Sequence, residues 1–312
     1  MLQGMARPRG ATRREALAGA AAVAATAGLG IRPAISANAL SLGEAEILVL
    51  SDGSLTQPMS FVLPEQTPEE IAALFAPHGA PTDRVRPDCN VTAMRMPGRL
   101  VLFDAGAGPL FQDTTGMLVE SLSAAGLDPA EITDVVFTHA HPDHIWGVID
   151  DFDELIFPNA RYVVPRSEWD FWRSDEAMAA LPEERRNFVV GARNRFDAIE
   201  EKVTLIDPGE EVLPGVEAVG TRGHTPGHMS YMVHGGDGAL VVGDAITNVV
   251  ISFERPDWHV GADQDRDMAA ETRRALLDRI AAGKTRIVGF HLPHPGIGTA
   301  ERTGNAFRFV AG

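Results

Sequence analysis

The stretch Thr138-His139-Ala140-His141-Pro142-Asp143-His144 constrains this chain more than any other. It follows a short apolar run, residues 135–138, that reads as a buried strand. His139 and His141 alternate at the end of that extended segment, so both rings can point to one side. Pro142 suits the first turn of a helix, where its missing N–H does no harm. Asp143 and His144 then sit side by side at the helix start. Four donors in six residues exceed what one ion takes from one peptide, and imidazole and carboxylate donors suit zinc and related divalent ions. The competing reading is a surface histidine tract that binds metal incidentally.

The rest of the chain argues against that reading. Gly220-Thr221-Arg222-Gly223-His224-Thr225-Pro226-Gly227-His228 lies between two expected strands and can present His224 from a tight loop. Asp244 directly follows the apolar run Leu240-Val241-Val242-Gly243, and His291 follows Val288-Gly289-Phe290. Each candidate ligand therefore falls at a strand end, where sites are built on a rigid sheet. His228 reads as a structural partner of its own loop. His234 and His259 have no ligand context, and His294 reads as a loop residue near His291.

Strands are expected at 45–51, 90–96, 100–104, 135–138, 160–164, 216–221, 230–234, 239–243 and 286–290, with an edge at 307–310. Helices are expected at 111–125, across 182–201 and at 265–282. The last has an apolar face of Met268, Ala269, Thr272, Ala275, Leu276 and Ile280. Hairpins mixed with helix-separated strands indicate an α/β (α+β) chain of two sheets with helices packed outside. No Ser/Gly/Pro linker divides residues 40–312, which read as one domain.

In this order, these motifs resemble the metallo-β-lactamase superfamily. The resemblance implies a four-layer αββα sandwich with the site on one edge. It assigns His139, His141 and His224 to one divalent ion and Asp143, His144 and His291 to a second, with Asp244 bridging them. Asp104 matches a recurring acidic position that supports the histidines. Phe157-Pro158-Asn159-Ala160, Asp170-Phe171-Trp172, Pro295-Gly296-Ile297-Gly298 and Arg308-Phe309-Val310 bring the chain nearest to the methyl parathion hydrolase and lactonase group. That group frames its leaving-group pocket with three aromatics, here Phe111, Trp172 and Phe188; core packing is the alternative role for each. A homodimer is also suggested by the resemblance.

The implied chemistry is hydrolysis at two divalent ions of the zinc type, by a hydroxide bridging them. Asp143 and Asp244 are the carboxylates expected to take part. The substrate class is a neutral hydrophobic ester, lactone or phosphotriester. Lactonases of the superfamily often place a tyrosine near the bridging metal; Tyr162 and Tyr231, the two in this chain, do not follow Asp244. A β-lactamase or glyoxalase-II-like thioesterase is a second reading, and a metal-binding or iron-centred redox protein a third. The zinc β-lactamases usually supply a cysteine to the second metal. The single cysteine, Cys89, lies far from the expected position and reads as a small buried residue. Gly-x-Ser-x-Gly is absent, which argues against a serine nucleophile on an α/β-hydrolase elbow.

The first 39 residues read as a twin-arginine export signal. Arg13-Arg14 precedes a weakly apolar run over 16–31, and Ala37-Asn38-Ala39 offers a cleavage site after Ala39. The run is too weakly apolar for a stable membrane anchor. The expected location is periplasmic or secreted. The formal charge of −16 becomes about −20 once this +4 segment is removed. Such acidity disfavours nucleic acid as a partner and leaves a small molecule as substrate.

Overall fold

The computed structural model describes residues 39–312. The expected export segment lies outside the described residues except for Ala39. That residue pairs with Leu48, so the expected cleavage point falls one residue inside the first strand.

Two seven-stranded sheets form the centre. The first runs, in spatial order, Ala39–Leu42, Ala45–Ser54, Asp88–Met96, Arg99–Phe103, Asp134–Val136, Arg161–Pro165 and Val203–Ile206. Its first four strands pair antiparallel, and Arg99–Phe103 onward pairs parallel. The second runs Glu211–Leu213, Val216–Gly220, Met229–Val233, Ala239–Gly243, Arg286–Gly289, Ile297–Thr303 and Ala306–Ala311. It is antiparallel except where Ala239–Gly243 lies parallel to Arg286–Gly289.

Alternation along the strands sorts side chains into three layers of contact. Ile47, Val49, Met94, Val101, Phe103 and Val136 face Val216, Ala218, Tyr231, Val241 and Val288 between the sheets. The opposite faces carry Leu50, Val91, Leu102 and Val135 on one sheet, packed with Leu118, Leu122, Trp172, Val189 and Phe196 of the covering helices. On the other sheet Leu240, Val242 and Ile287 meet Leu276, Leu277 and Ile280 of the helix Arg266–Gly283. The result is the four-layer αββα sandwich. Among the described residues no helix is long and apolar enough to cross a membrane.

Two expectations are corrected. The helix placed at 111–125 is confined to Leu118–Ala124. Gly116 stands at φ +83°, and a Cβ there would meet the Gly108 carbonyl oxygen at 2.5 Å, so the chain before the helix is a tight loop carrying Phe111. The helix at 266–283 begins at its cap, where Asp265 accepts from the Met268 N–H. Its buried face is rotated from the expected one: Met268 is 42% exposed, while Arg273 is buried in its place. Arg273 goes inside because it pairs with the buried Asp263 at 2.7 Å and donates to the carbonyls of Pro256 and Trp258. The edge strand expected at 307–310 is present as Ala306–Ala311, and its hairpin partner Ile297–Thr303, which has no apolar alternation to announce it, is unexpected.

The loop bearing Phe111 is tied down by Asp52. Its carboxylate accepts from Ala107 N at 2.7 Å and Leu118 N at 2.8 Å. Burial pushes its pKa up to about 6, against the backbone donors that favour the anion. Replacing Asp52 with Ala leaves two buried N–H groups unpaired, and urea denaturation is expected to show a loss of about 2 to 5 kcal/mol. The folded pKa lies above the unfolded one, so this group's contribution is greatest at low pH and falls as pH rises through about 6. The wild-type advantage over Asp52→Ala should therefore be smaller at about pH 7.5 than at about pH 5.5.

Candidate metal centre

The parallel strands end on one edge of the sandwich, and the donors stand just beyond them. His139 and His141 follow Asp134–Val136, and Asp143 and His144 ride on the single turn Pro142–Ile145. His224 lies in the loop between Val216–Gly220 and Met229–Val233. Asp244 follows Ala239–Gly243, and His291 follows Arg286–Gly289. All seven are buried.

Asp244 is the point where the donors meet. Its Oδ2 lies 3.2 Å from His224 Nε2 and 3.3 Å from His291 Nε2, and its Oδ1 lies 3.2 Å from His144 Nε2. Asp143 Oδ2 stands 3.1 Å from His291 Nε2 and 3.6 Å from His144 Nε2. On the other side His141 Nδ1 is 2.9 Å from His224 Nε2. One donor atom from each of His139, His141 and His224 lies within 4.8 Å of the others, and the same holds for His139, His144 and Asp244. Asp244 therefore touches both halves of the cluster.

The hydrogen bonds behind the rings decide which nitrogen each histidine offers. His144 Nδ1 donates to Asp104 Oδ2 at 2.8 Å. His224 Nδ1 donates to Asp263 Oδ1 at 2.9 Å, and His291 Nδ1 to the Asp88 carbonyl at 2.8 Å. Thr138 Oγ1 donates to Asp104 Oδ2 and so accepts from His139 Nδ1 at 3.0 Å. Four rings thus commit Nδ1 outward and aim Nε2 inward, so that Nε2 is the atom that would serve a cation as lone-pair donor once any proton on it is displaced. His139 Nε2, His144 Nε2 and Asp244 Oδ1 are buried with no hydrogen-bond partner; the 3.2 Å contact between the last two lacks hydrogen-bond alignment. Buried polar atoms left open cost free energy, and a bound divalent ion would satisfy all three. The donor set fits two such ions. His139, His141 and His224 would hold one, Asp143, His144 and His291 the other, with Asp244 between them.

Electrostatics agree with that fit. Burial, reinforced by neighbouring imidazoles, holds His139 and His141 well below the ordinary histidine range and hence neutral. Burial alone would push Asp244 up, but His291, His144 and His224 outweigh it and hold the carboxyl well below its ordinary value. Against the same burial, Asp244, Asp143 and Asp104 push His144 up to about 10. In the metal-free chain His144 and His291 supply the positive charge that bound cations would otherwise bring.

His228 is not among the donors. Its Nδ1 lies 3.1 Å from the Thr221 carbonyl, and its Nε2 accepts from the Asp244 N–H at 2.9 Å, which aims the carboxylate. A Cβ on Gly243 would meet His228 Nε2 at 2.7 Å, so the glycine makes room for that bond. Asp104 also accepts from Thr138 N at 2.7 Å, which pins the start of the histidine segment.

A cavity of about 330 Å³ opens onto the cluster, lined by His141, Asp143, His224, Asp244 and His291. Phe111 and Phe188 form its wall, with ring centroids 5.9 Å apart. Trp172 does not line it, which corrects the expected aromatic frame. The indole is fully buried behind His141 at 5.7 Å, and its N–H donates to Glu168 Oε2 at 2.6 Å. Phe61 stands in the cavity wall instead. Tyr162 and Tyr231 are buried away from it, donating to the carbonyls of Phe157 and Phe137. Cys89 is buried as expected, and burial pushes its thiol up to about 12. Its Sγ nevertheless lies within 4.8 Å of donor atoms of Asp143 and His291, which its place in the sequence does not suggest.

Several supporting residues escape a reading of the sequence. Glu168, fully buried, accepts from Ala140 N at 3.2 Å and Gly227 N at 2.8 Å, clamping the loops of His139 and His224 together. Asp263 bridges His224 to Arg273. Asn90 donates to the carbonyls of Gly289 and Leu292, strapping the segment that carries His291. Each is a lone polar residue inside a mixed segment, so no local pattern marks it.

Residues 85–291 match the model of the metallo-beta-lactamase superfamily, about two thirds of the chain. The chain belongs to that superfamily, and its fold and donor set make it a metal-dependent hydrolase of the group. Metallo-beta-lactamase domain-containing protein 1 of Xenopus laevis is 30% identical over 62% of this chain and 68% of its own length. The N-acyl homoserine lactonase AttM of Agrobacterium fabrum is 30% identical over 37% of this chain and 41% of its own. Among solved structures, AidC, a dizinc quorum-quenching lactonase with a product bound, is 30% identical, covering 88% of this chain and 96% of its own, at a TM-score of 0.83. The hydrolase AbOPH is 26% identical over the same shares, at 0.81.

Asp263→Asn keeps the shape but weakens the acceptor that orients His224, so chelator competition should show zinc binding roughly ten- to a hundredfold weaker. Asp207→Asn, which removes only an exposed ion pair with Arg166, should leave it unchanged.

Proposed function

We propose that this chain is a dinuclear, zinc-type hydrolase of neutral hydrophobic esters, with lactones as the leading substrate class. The observation that carries the reading is the carboxylate of Asp244, in contact with His224 on one side and with His144 and His291 on the other. The likeness to N-acyl homoserine lactonases and to a dizinc lactonase structure supports the substrate class. The three phenylalanines on the cavity wall favour an apolar substrate body. The same wall suits an aryl phosphotriester, which is the second reading. The export segment at residues 1–39 is part of the proposal and implies action outside the cytoplasm.

When bound, a pair of divalent ions supplies Lewis acidity and an activated water at neutral pH. The chain's own residues do the rest. His141, His224 and His291 present the floor of the cavity, and Phe61, Phe111 and Phe188 exclude bulk water around an apolar substrate. Asp143 lines the cavity with its carboxylate and is placed to accept the proton of the attacking water. It then returns that proton to the departing alkoxide, so hydrolysis gives an alcohol and a carboxylic acid, which releases its own proton to solvent at neutral pH. Asp244, held by the His228–backbone bond, fixes the position of the donors around it. No tyrosine hydroxyl is available for this work, since both are committed in the core.

The test combines metal analysis with turnover of four substrates: an N-acyl homoserine lactone, an aryl phosphotriester, a cephalosporin and a glutathione thioester. About two metal equivalents are expected, with highest kcat/KM on the lactone. Asp143→Asn should lower kcat by roughly a hundredfold or more while leaving the melting temperature near wild type. Full metal occupancy without turnover of any of the four would overturn the reading.

A further inference from the structure

Cys89 is fully buried, and it belongs to the apolar cluster that holds Val91 and Phe290. Filling that cluster needs only a small apolar side chain. The surroundings of the sulfur ask for more. Its Sγ, a carboxylate oxygen of Asp143 and an imidazole nitrogen of His291 all lie within 4.8 Å of one another. The thiol and His291 share a side-chain hydrogen bond. Asp143 joins this group to His144, whose Nε2 lies 3.6 Å from Asp143 Oδ2 and has no hydrogen-bond partner. The backbone holds the sulfur in that place. Cys89 stands second in the strand Asp88–Met96, and bonds cross from both its neighbours to the segment that carries His291. The Asp88 carbonyl accepts from His291 Nδ1 at 2.8 Å. Asn90 N donates to the Phe290 carbonyl at 2.8 Å, and Asn90 Nδ2 donates to the Leu292 carbonyl at 2.7 Å. With Nδ1 so committed, His291 turns Nε2 toward Asp143 Oδ2, 3.1 Å away. A buried thiol strapped against two metal-type donors is arranged to join them around a cation.

We propose that Cys89 is a sulfur donor to the ion held by Asp143, His144 and His291. This rests on the two-ion reading above and adds a donor of another chemical class to one half of it. Thiolate is the form of cysteine that binds metal, so the S–H bond gives way to an S–metal bond and the proton leaves to solvent. The sulfur comes from a strand of the first sheet, whereas Asp244 and His291 follow strands of the second. One ion is then held by nitrogen and oxygen alone, and the other by nitrogen, oxygen and sulfur. A soft donor favours zinc, cobalt(II) or cadmium over manganese, so the two positions differ in metal preference.

The experiment compares the wild-type full chain with Cys89→Val, which keeps an apolar filler, and Cys89→Ser, which keeps a weaker oxygen donor. Each is loaded with zinc and, separately, with cobalt(II). X-ray absorption at the zinc edge should show about one sulfur for every two zinc ions in wild type, at about 2.3 Å. The cobalt form should show a sulfur-to-cobalt charge-transfer band in the near ultraviolet. Both signals should vanish in the two variants. In Cys89→Val, chelator competition should show one ion bound as in wild type and the other bound roughly tenfold or more weakly. Cys89→Ser should lie between the two. Two zinc ions in wild type with nitrogen and oxygen neighbours alone would overturn the role of Cys89 and leave the two-ion reading standing. A sulfur signal that survives in Cys89→Val would overturn the role too, as would equal weakening of both ions or of neither. A single bound ion in wild type would overturn the two-ion reading. The role of Cys89 would then be judged on that ion, upheld by a sulfur signal lost in Cys89→Val and overturned by a sulfur-free spectrum.

Discussion

The contact on which this structure depends is the carboxylate of Asp244 set among the Nε2 atoms of His144, His224 and His291. Burying one carboxylate is expensive unless it is paired, and here a second, Asp143, is buried beside it. The chain answers with imidazoles whose outer nitrogens are already committed, so the inner ones cannot turn away. Like charges and open lone pairs facing one another are a poor arrangement for a protein alone and a good one for a cation-binding centre. The active-site edge of the sandwich is therefore organised around ions that the donor geometry anticipates.

Behind the donors lies a ring of acceptors. Asp104 holds Thr138 and His144, Asp263 holds His224, Glu168 joins the loops of Ala140 and Gly227, and Asp52 anchors the loop of Phe111. These carboxylates accept from N–H groups that would otherwise be buried and unpaired. Burial pushes Asp52, Asp104 and Glu168 upward, and the donors around them pull the other way. The acidic composition is thus partly internal, spent on holding loops rather than on the surface alone.

The donors were legible in the sequence because function forces a rare concentration of histidine and aspartate at strand ends, as in residues 139–144. Apolar runs likewise announced the strands, although a run buried on both faces, such as 239–243, does not say that Leu240 and Val242 turn toward the helix and Val241 toward the other sheet. The supporting shell was not legible. Glu168 sits in a helix rich in charge, and Arg273 replaces Met268 on the buried face only because Asp263 is there to receive it. Trp172 is kept from the cavity by a contact of the same kind, the bond of its N–H to the buried Glu168, and Phe61, which does stand in the wall, carries no pattern that marks it. The short helix Leu118–Ala124 shows the same dependence, since Asp52, distant in sequence, fixes where it starts.

The central claim is that two ions are held on either side of Asp244. Anomalous diffraction at the zinc edge from crystals of the zinc-loaded chain tests it most directly. The account requires two peaks, one among His139, His141 and His224 and one among Asp143, His144 and His291, with the Asp244 carboxylate between them. A single peak, or peaks away from these residues at full zinc occupancy, would contradict it.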